Sequence, residues 1–451
     1  MARGKKKEEL TLEEKLEQAL VPVEEQPYEV PENWCWTYLT HGFCECMDSF
    51  RKPINASERA KRVGKIPYYG ATGQVGWIDD YLTDEQLVLV GEDGAPFFDT
   101  VKDKAYMING KAWVNNHAHI LMSYYGEVGN KYIMNYLNSF NYRGYVNGTT
   151  RLKLTQASMN NIPVPLPPLT EQQRIVDRVE SLFAKLDEAK EKVQEVIDQY
   201  ELKTTSILHK AFVGDLSLKW RTMHGTTKEN WDVKRIKDVC KPRAGYAFNS
   251  KKFQNHGCQI IRMGNLYGGV LDLSRSPVFI CEDELDEKII DRAKIKNGDI
   301  LITLTGTKYK RDYGYAVCIE NPENLYVNQR ILCLTPNANI NRDYLLYYLR
   351  SNIFRDIFFS NETGGVNQGN VSSKFVENIE IQVPPIEEQI AIITVMNNIL
   401  LEEERTKKFA ECVLQRIDLM KKSILTKAFR GELGTNNPEE ESAIKLLKKY
   451  L

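Results

Sequence analysis

The chain has 451 residues, more than one core of ordinary size holds, so two or three domains are expected. Hydrophobic residues make up 42% and charged ones 27%, and the formal net charge is -1. That excludes a uniformly positive nucleic-acid-binding field, though not a local one, and nine cysteines without a pairing framework point to a reducing, cytoplasmic setting.

Residues 1–28 read as a charged helical arm, because MARGKKKEELTLEEKLEQAL lacks the apolar stretch of a signal peptide. Glu32-Asn33-Trp34 then opens a globular segment over 29–165, and Glu229-Asn230-Trp231 opens a second over 229–382. Both are strand-rich, with LVLVGEDG at 87–94 and GDILITLTG at 298–306 among many Gly, Asn and Tyr residues. Each globule leads into a long helix, over 166–216 and 383–433; a linker at 217–228 and a tail at 434–451 complete the order. The longest apolar run, near 390–401, is broken by Asn397 and Asn398. It is short of the roughly 20 residues a membrane span needs, so no membrane partner is expected.

The two helical segments repeat one another. LPPLTEQQRI (166–175) faces VPPIEEQIAI (383–392), and SILHKAF (206–212) faces SILTKAF (423–429), all at an offset of 217. The register holds without a gap and gives 16 identities in 51 positions, which marks an internal duplication. Thr170 to Gln173 reads as a capping box, and Gly214 and Gly431 as C-terminal stops. Ile175, Val179, Leu182, Leu186, Ala189, Val193, Val196 and Tyr200 follow at alternating spacings of four and three. The second copy offers Ile392, Met396, Ile399, Ala410, Val413, Ile417, Met420 and Ile424, interrupted at Glu403 and Thr406. So narrow a stripe needs a partner helix, and the simplest partner is the other copy. The expected fold is α+β: two strand-rich globules alternating with two long helices paired as an antiparallel coiled coil, in a pseudo-two-fold repeat.

No catalytic signature survives inspection: no Walker A loop, no Gly-x-Gly-x-x-Gly and no HExxH is present. GEDGAP (91–96) and TGGVNQGN (363–370) lack the helix start of a phosphate cradle and read as strand-end turns. Cys35, His41, Cys44 and Cys46 could ligate zinc, but a Cys-x-Cys strand is expected to send its thiols to opposite faces, so they read as buried or incidental thiols. His117 and His119 read as structural.

Basic clusters say more. RKPINASERAKRVGK (51–65) holds six basic residues and one acid, and KRIKDVCKPRAGYAFNSKK (234–252) seven and one. Each lies soon after its Asn-Trp opening, and IPYYGATGQVGW (66–77), IIRMGNLYGG (260–269) and KYKR (308–311) lie near them. Basic side chains attract phosphates whatever the sequence, while polar loop residues can read base edges.

PLPPLTEQQRI…SILHKAFVGDL and QVPPIEEQIAI…SILTKAFRGEL resemble the helical regions of a type I restriction-modification specificity subunit, and the globules resemble its two target recognition domains. The resemblance implies a non-catalytic subunit. It would bind a bipartite double-stranded DNA target, one half-site per globule, and scaffold two methyltransferase subunits joined by restriction (translocase) subunits. S-adenosylmethionine, ATP and Mg would belong to those partners, with no cofactor bound by this chain. In the first globule the expected DNA contacts are Tyr68, Tyr69, Thr72 and Gln74 on bases and Lys61, Arg62 and Lys65 on phosphates. In the second they are Arg262, Asn265, Lys308, Lys310, Arg311, Gln329 and Arg330. A stand-alone DNA-binding protein and a coiled-coil scaffold without a methyltransferase partner are the alternatives.

Overall fold

The computed structural model describes residues 10–365 and 367–451; the first nine residues of the expected arm lie outside them. Two units form, one from 1–194 with 411–451 and one from 195–410, so each takes one globule and part of each long helix.

In the first unit the arm contributes the helix Leu12–Ala19, begun by a reciprocal cap between Thr11 and Glu14. The globule is closed by a ladder of its first and last strands, Cys35 opposite Leu166 through Tyr38 opposite Pro163. Between them lie two four-stranded sheets. One orders Cys44–Cys46, Ala118–Ser123, Leu87–Gly91 and Ala105–Ile108, all antiparallel. The other orders Gly73–Ile78, Ile66–Gly70, Lys111–Val114 and Thr83–Asp84. Strand alternation explains the unbroken apolar LVLV. Leu87 and Leu89 face one apolar cluster and Val88 and Val90 another, so neither face is wet.

The second unit repeats this logic. Its ladder sets Asp232 opposite Val383 through Arg235 opposite Glu380. A four-stranded sheet orders Cys240–Ala244, Ile331–Pro336, Ile300–Thr303 and Ala316–Cys318, beside a three-stranded sheet of Phe279–Ile280, Cys258–Ile261 and Leu325–Val327. Here Ile300 and Ile302 face one cluster and Leu301 the other. The expected linker contains the helix Leu218–His224.

The long helices are Leu169–Phe212 and Ile386–Phe429, 44 residues each, or about 66 Å at 1.5 Å per residue. They run antiparallel in both units. Lys190 pairs with Asp418 and Lys421 with Asp187 in the first; Lys203 pairs with Glu403, and Lys407 lies over the Tyr200 ring, in the second. Gly214 and Gly431 stop the helices at φ of 91° and 72°. Asp215 N bonds back to Lys210 O, and Glu432 N to Lys427 O, as such left-handed stops require.

Three expectations are corrected. The capping box at Thr170 does not form, because the helix already starts at Leu169, where Gln172 N bonds to Pro168 O. Gln172 Nε2 instead donates to Pro167 O and Gln389 Nε2 to Pro384 O, so the repeated glutamines clamp the Pro-Pro turns. The seam also drifts. Val196 and Met420 are exposed, while Ile197 and Lys421 turn partly inward, since a straight helix falls behind a strict seven-residue stripe by about 20° per heptad. Finally, Cys44 and Cys46 do form a strand, but at a spacing of two they share one face; Cys44 is buried and burial raises its thiol pKa.

The same joint seals the end of each long helix. Phe429 packs edge-on against Tyr132 and Tyr136, whose hydroxyls donate to Pro165 O and Pro163 O. Phe212 packs edge-on against Tyr344 and Tyr348, whose hydroxyls donate to Gln382 O and Glu380 O. These tyrosine pairs lie 212 apart, not 217, which hides the correspondence from an ungapped search.

Candidate nucleic-acid interface

In the first unit the strands Ile66–Gly70 and Gly73–Ile78 form a hairpin whose tip is Ala71-Thr72. Gly73 there takes φ of 133°, a value side chains disfavour. Thr72 and Gln74 are exposed at this tip, and Gln74 Nε2 donates to Gly76 O. Lys61 and Lys65 are exposed and form no ion pair among the described residues. Arg62 is committed: it pairs with Asp79 at 2.7 Å and lies over the Trp113 ring.

Tyr68 is not available as a base reader. It is 1% exposed, its hydroxyl lies against the backbone of Ile54, and Arg59 covers its ring. Strand alternation explains the swap, because Tyr69 faces the other way, half-buried and tilted against Tyr106. The exposed aromatic on this hairpin is Trp77, which the sequence reading passed over.

Half of the basic run above the hairpin is structural. Arg51 pairs with Asp48 and Glu92. Buried His119 offers Nδ1 to Asp48 at 2.6 Å and Nε2 to Leu154 O at 2.9 Å, and His117 pairs with Asp93. Burial alone would raise the Asp48 carboxyl, but hydrogen bonds from His119 and Ile120 N and the Arg51 charge hold it below its ordinary value. GEDGAP is thus an acidic hub: Glu92 also takes Lys153, and Asp93 also takes Arg151.

In the second unit four loops converge. Thr305-Gly306 pairs with Gly369-Asn370; Leu304 N bonds to Arg330 O, and Val371 N to Leu304 O. The Thr305 hydroxyl contacts the Met263 sulfur, bringing the 262–269 segment alongside. Lys310, Gln329 and Arg330 are exposed in this group, with Tyr309 at the surface between Lys308 and Lys310. Lys308 donates to Gly364 O, and Arg311 pairs with Asp356 and lies over Phe359.

Asn265 is the second reader that fails. It is buried, accepts from Arg262 N, and donates to Asp272 O and Arg275 O, so its amide clips its own loop shut. Arg262 is half-buried and donates to Ser276 O. The basic run at 234–252 is also spent in part: Arg243 pairs with buried Asp299, Lys234 with Asp232, and Lys252 with Glu284. Both surfaces therefore gather exposed polar, basic and aromatic side chains on loops. Among the described residues no group of three or more His, Cys, Asp or Glu side chains is placed to hold a metal, and no helix is long and apolar enough to cross a membrane.

Two globules of one design, each presenting such loops and each packed on the long helices, define a duplicated module. The model of the type I restriction modification DNA specificity domain matches residues 40–199 and again 228–409, and the chain belongs to that family. A putative type I restriction enzyme specificity subunit of Haemophilus influenzae is 24% identical over 373 residues, covering 78% of this chain and 84% of its own length. The EcoKI specificity subunit of Escherichia coli K12 is 24% identical over 346 residues, 70% of each chain. Among solved structures, a chain from a type I R-M system studied for complex assembly and conformational transition covers 90% of this chain and 100% of its own, at TM-score 0.65 and 18% identity. The HsdS subunit of Thermoanaerobacter tengcongensis covers 91% of this chain and 100% of its own, at TM-score 0.55 and 18% identity. These likenesses establish the shared fold.

Proposed function

We propose that this chain reads a bipartite double-stranded DNA target, one half-site per globule, and carries two methyltransferase subunits to it. Adenine methylation, and restriction by further subunits, would then follow its choice of site. The chain itself is non-catalytic in this reading, and S-adenosylmethionine, ATP and Mg are held by the partners. The observation that supports it most is the contrast within each unit. The helix joints repeat almost part for part, whereas the exposed loops share no pattern: a Thr-Gly-Gln hairpin with Trp77 in one, a Lys-Tyr-Lys-Arg loop with Gln329 and Arg330 in the other. A common frame with different reading surfaces fits two different half-sites.

Mapping methylated adenines across the source genome, with the gene intact and deleted, is the direct test. Loss of one bipartite motif on deletion is expected, and an unchanged methylome together with tight specific binding by the chain alone would favour a stand-alone DNA binder. Transplanting residues 229–382 from a relative should change one half-site and leave the other. Lengthening both helices by whole heptads should change only the spacer; loss of both half-sites at unchanged spacing would defeat the idea of the helix pair as a ruler.

A further inference from the structure

Each unit holds a cleft where a globule helix meets the two long helices, about 740 Å³ in the first and about 780 Å³ in the second. They occupy the same station of the repeat. Phe183, Lys421, Lys422 and Leu425 line the first cleft, and Leu400, Thr204, Thr205 and Leu208, their counterparts 217 positions away, line the second. Asn135 and Asn138 of the first match Tyr347 and Arg350 of the second at the offset of the tyrosine joint.

The existence of a cleft at this station follows from the fold, but its charge does not. The second cleft is lined by two carboxylates, Glu201 and Glu404, and one cation, Arg350. The first is lined by five cations against three carboxylates, Asp99, Asp103 and Asp418. Lys190 is spent on Asp418 and Lys421 on Asp187. Asp99 is spent on Val101 N, Lys102 N and the Lys102 ammonium. Among the described residues Lys104, Arg143 and Lys422 form no ion pair, and of the carboxylates only Asp103 is left unpaired.

Lys104 is the unusual one, because it is only 3% exposed. Lysine is almost never fully buried unless paired, since a desolvated ammonium without a partner is costly. Burial pushes its pKa down; the charges of Asp103 and Asp99 oppose this, and the charge of Lys422 adds to it. An anion in the cleft would supply the missing partner.

We propose that the cleft of the first unit binds a phosphate group, with Lys104 at its floor and Lys422 and Arg143 at its rim. The phosphate comes either from the DNA backbone, in which case the site anchors the duplex beside the first half-site and rests on the function proposed above, or from a free polyphosphate such as a nucleotide. The second unit has no equivalent site, because Thr204 and Thr205 stand where the first has Lys421 and Lys422.

The test uses the full-length chain, its Lys104→Met/Lys422→Thr variant, and Lys422→Thr alone, which changes only an exposed rim residue and so guards against misfolding. Binding is titrated with a non-cognate duplex across a salt series and, separately, with sodium pyrophosphate. If the source is DNA, the double variant binds duplex about tenfold more weakly at low salt. The slope of log affinity against log salt should fall by about 1 to 2, as two lost phosphate contacts require. Lys422→Thr should give about half of that change. If the source is a free polyphosphate, pyrophosphate affinity falls and duplex binding does not. Unchanged affinity for both probes in folded Lys422→Thr and double-variant protein would overturn the site. Wild-type chain that binds no duplex, while pyrophosphate binding still depends on Lys104 and Lys422, would instead remove the DNA-reading function and leave the site standing.

Discussion

The first unit and the second bury the same carboxylate and satisfy it differently. Glu171 and Glu388 occupy equivalent places in the repeated Glu-Gln pair, and both are buried at the start of a long helix. Glu171 accepts from the Thr435 hydroxyl at 2.6 Å and from Arg174, which also holds Glu440 of the tail. Glu388 accepts from Arg221 at 2.9 Å and from Trp231 Nε1 at 3.0 Å. In the first unit Trp34 Nε1, the counterpart of Trp231, has gone to Asn436 Oδ1. Both solutions draw on the segment that follows the end of the other long helix. The two copies share the buried acceptor and differ in its donors, because an acceptor out of water must be satisfied but several donors can do it.

That difference predicts unequal costs for the same substitution. Arg221 is 7% exposed, so Glu388→Ala strands a buried guanidinium and should cost the second unit about 3–5 kcal/mol. Arg174 is far more exposed and keeps Glu440, so Glu171→Ala should cost about 1–3 kcal/mol. Urea denaturation of the full chain, followed by tryptophan fluorescence, measures both. Equal losses would mean the two joints are energetically alike despite their different partners.

The comparison sharpens with pH. Asp48 belongs to the first unit, and its folded pKa is depressed, so the stability it contributes is present above the unfolded value of about 3.9 and lost as pH falls toward the folded value. The first unit should therefore weaken below about pH 4. Asp48→Asn should cost about 1.5–3 kcal/mol at neutral pH and flatten that acid limb. Acid titration of both proteins by circular dichroism decides it; an acid limb unchanged by Asp48→Asn would assign the loss to other carboxylates, Glu92 first, whose pKa is also lowered.

The long helices were legible because duplication leaves a signal that needs no structure: a fixed offset, two proline pairs and two glycine stops. The globules were legible only as strand-rich, since neither the pairing of Cys35–Tyr38 with Pro163–Leu166 nor the interposed sheets can be read from local pattern. The candidate contact residues were the least legible. In a strand, neighbours face opposite ways, so PYYG could not say which tyrosine is core, and an Asn in a Gly-rich loop looks alike whether it clips the loop or reads a base. Tyr68→Ala should accordingly destabilise the first unit by about 3–5 kcal/mol. Gln74→Ala should leave stability within about 0.5 kcal/mol and alter methylation at one half-site alone. Maps of methylated adenines and melting curves of the two variants separate these outcomes.

The smallest effect probes where the units are most alike. Lys190–Asp418 in the first and Lys203–Glu403 in the second join the same two helices, with side chains 44% and 26% exposed in one pair and 45% and 25% in the other. Ion pairs this open contribute about 0.2–1 kcal/mol and are screened by salt. Double-mutant cycles to Ala should therefore return couplings that agree within a few tenths of a kcal/mol and shrink together in 1 M NaCl, where the screening length is about 3 Å. Matching exposure leaves the spacing of the helices as the remaining variable. The separations are 3.0 Å and 3.3 Å, so a coupling in one unit that exceeded the other by more than about 1 kcal/mol would mean that the helix pair is held more tightly by one globule than by the other.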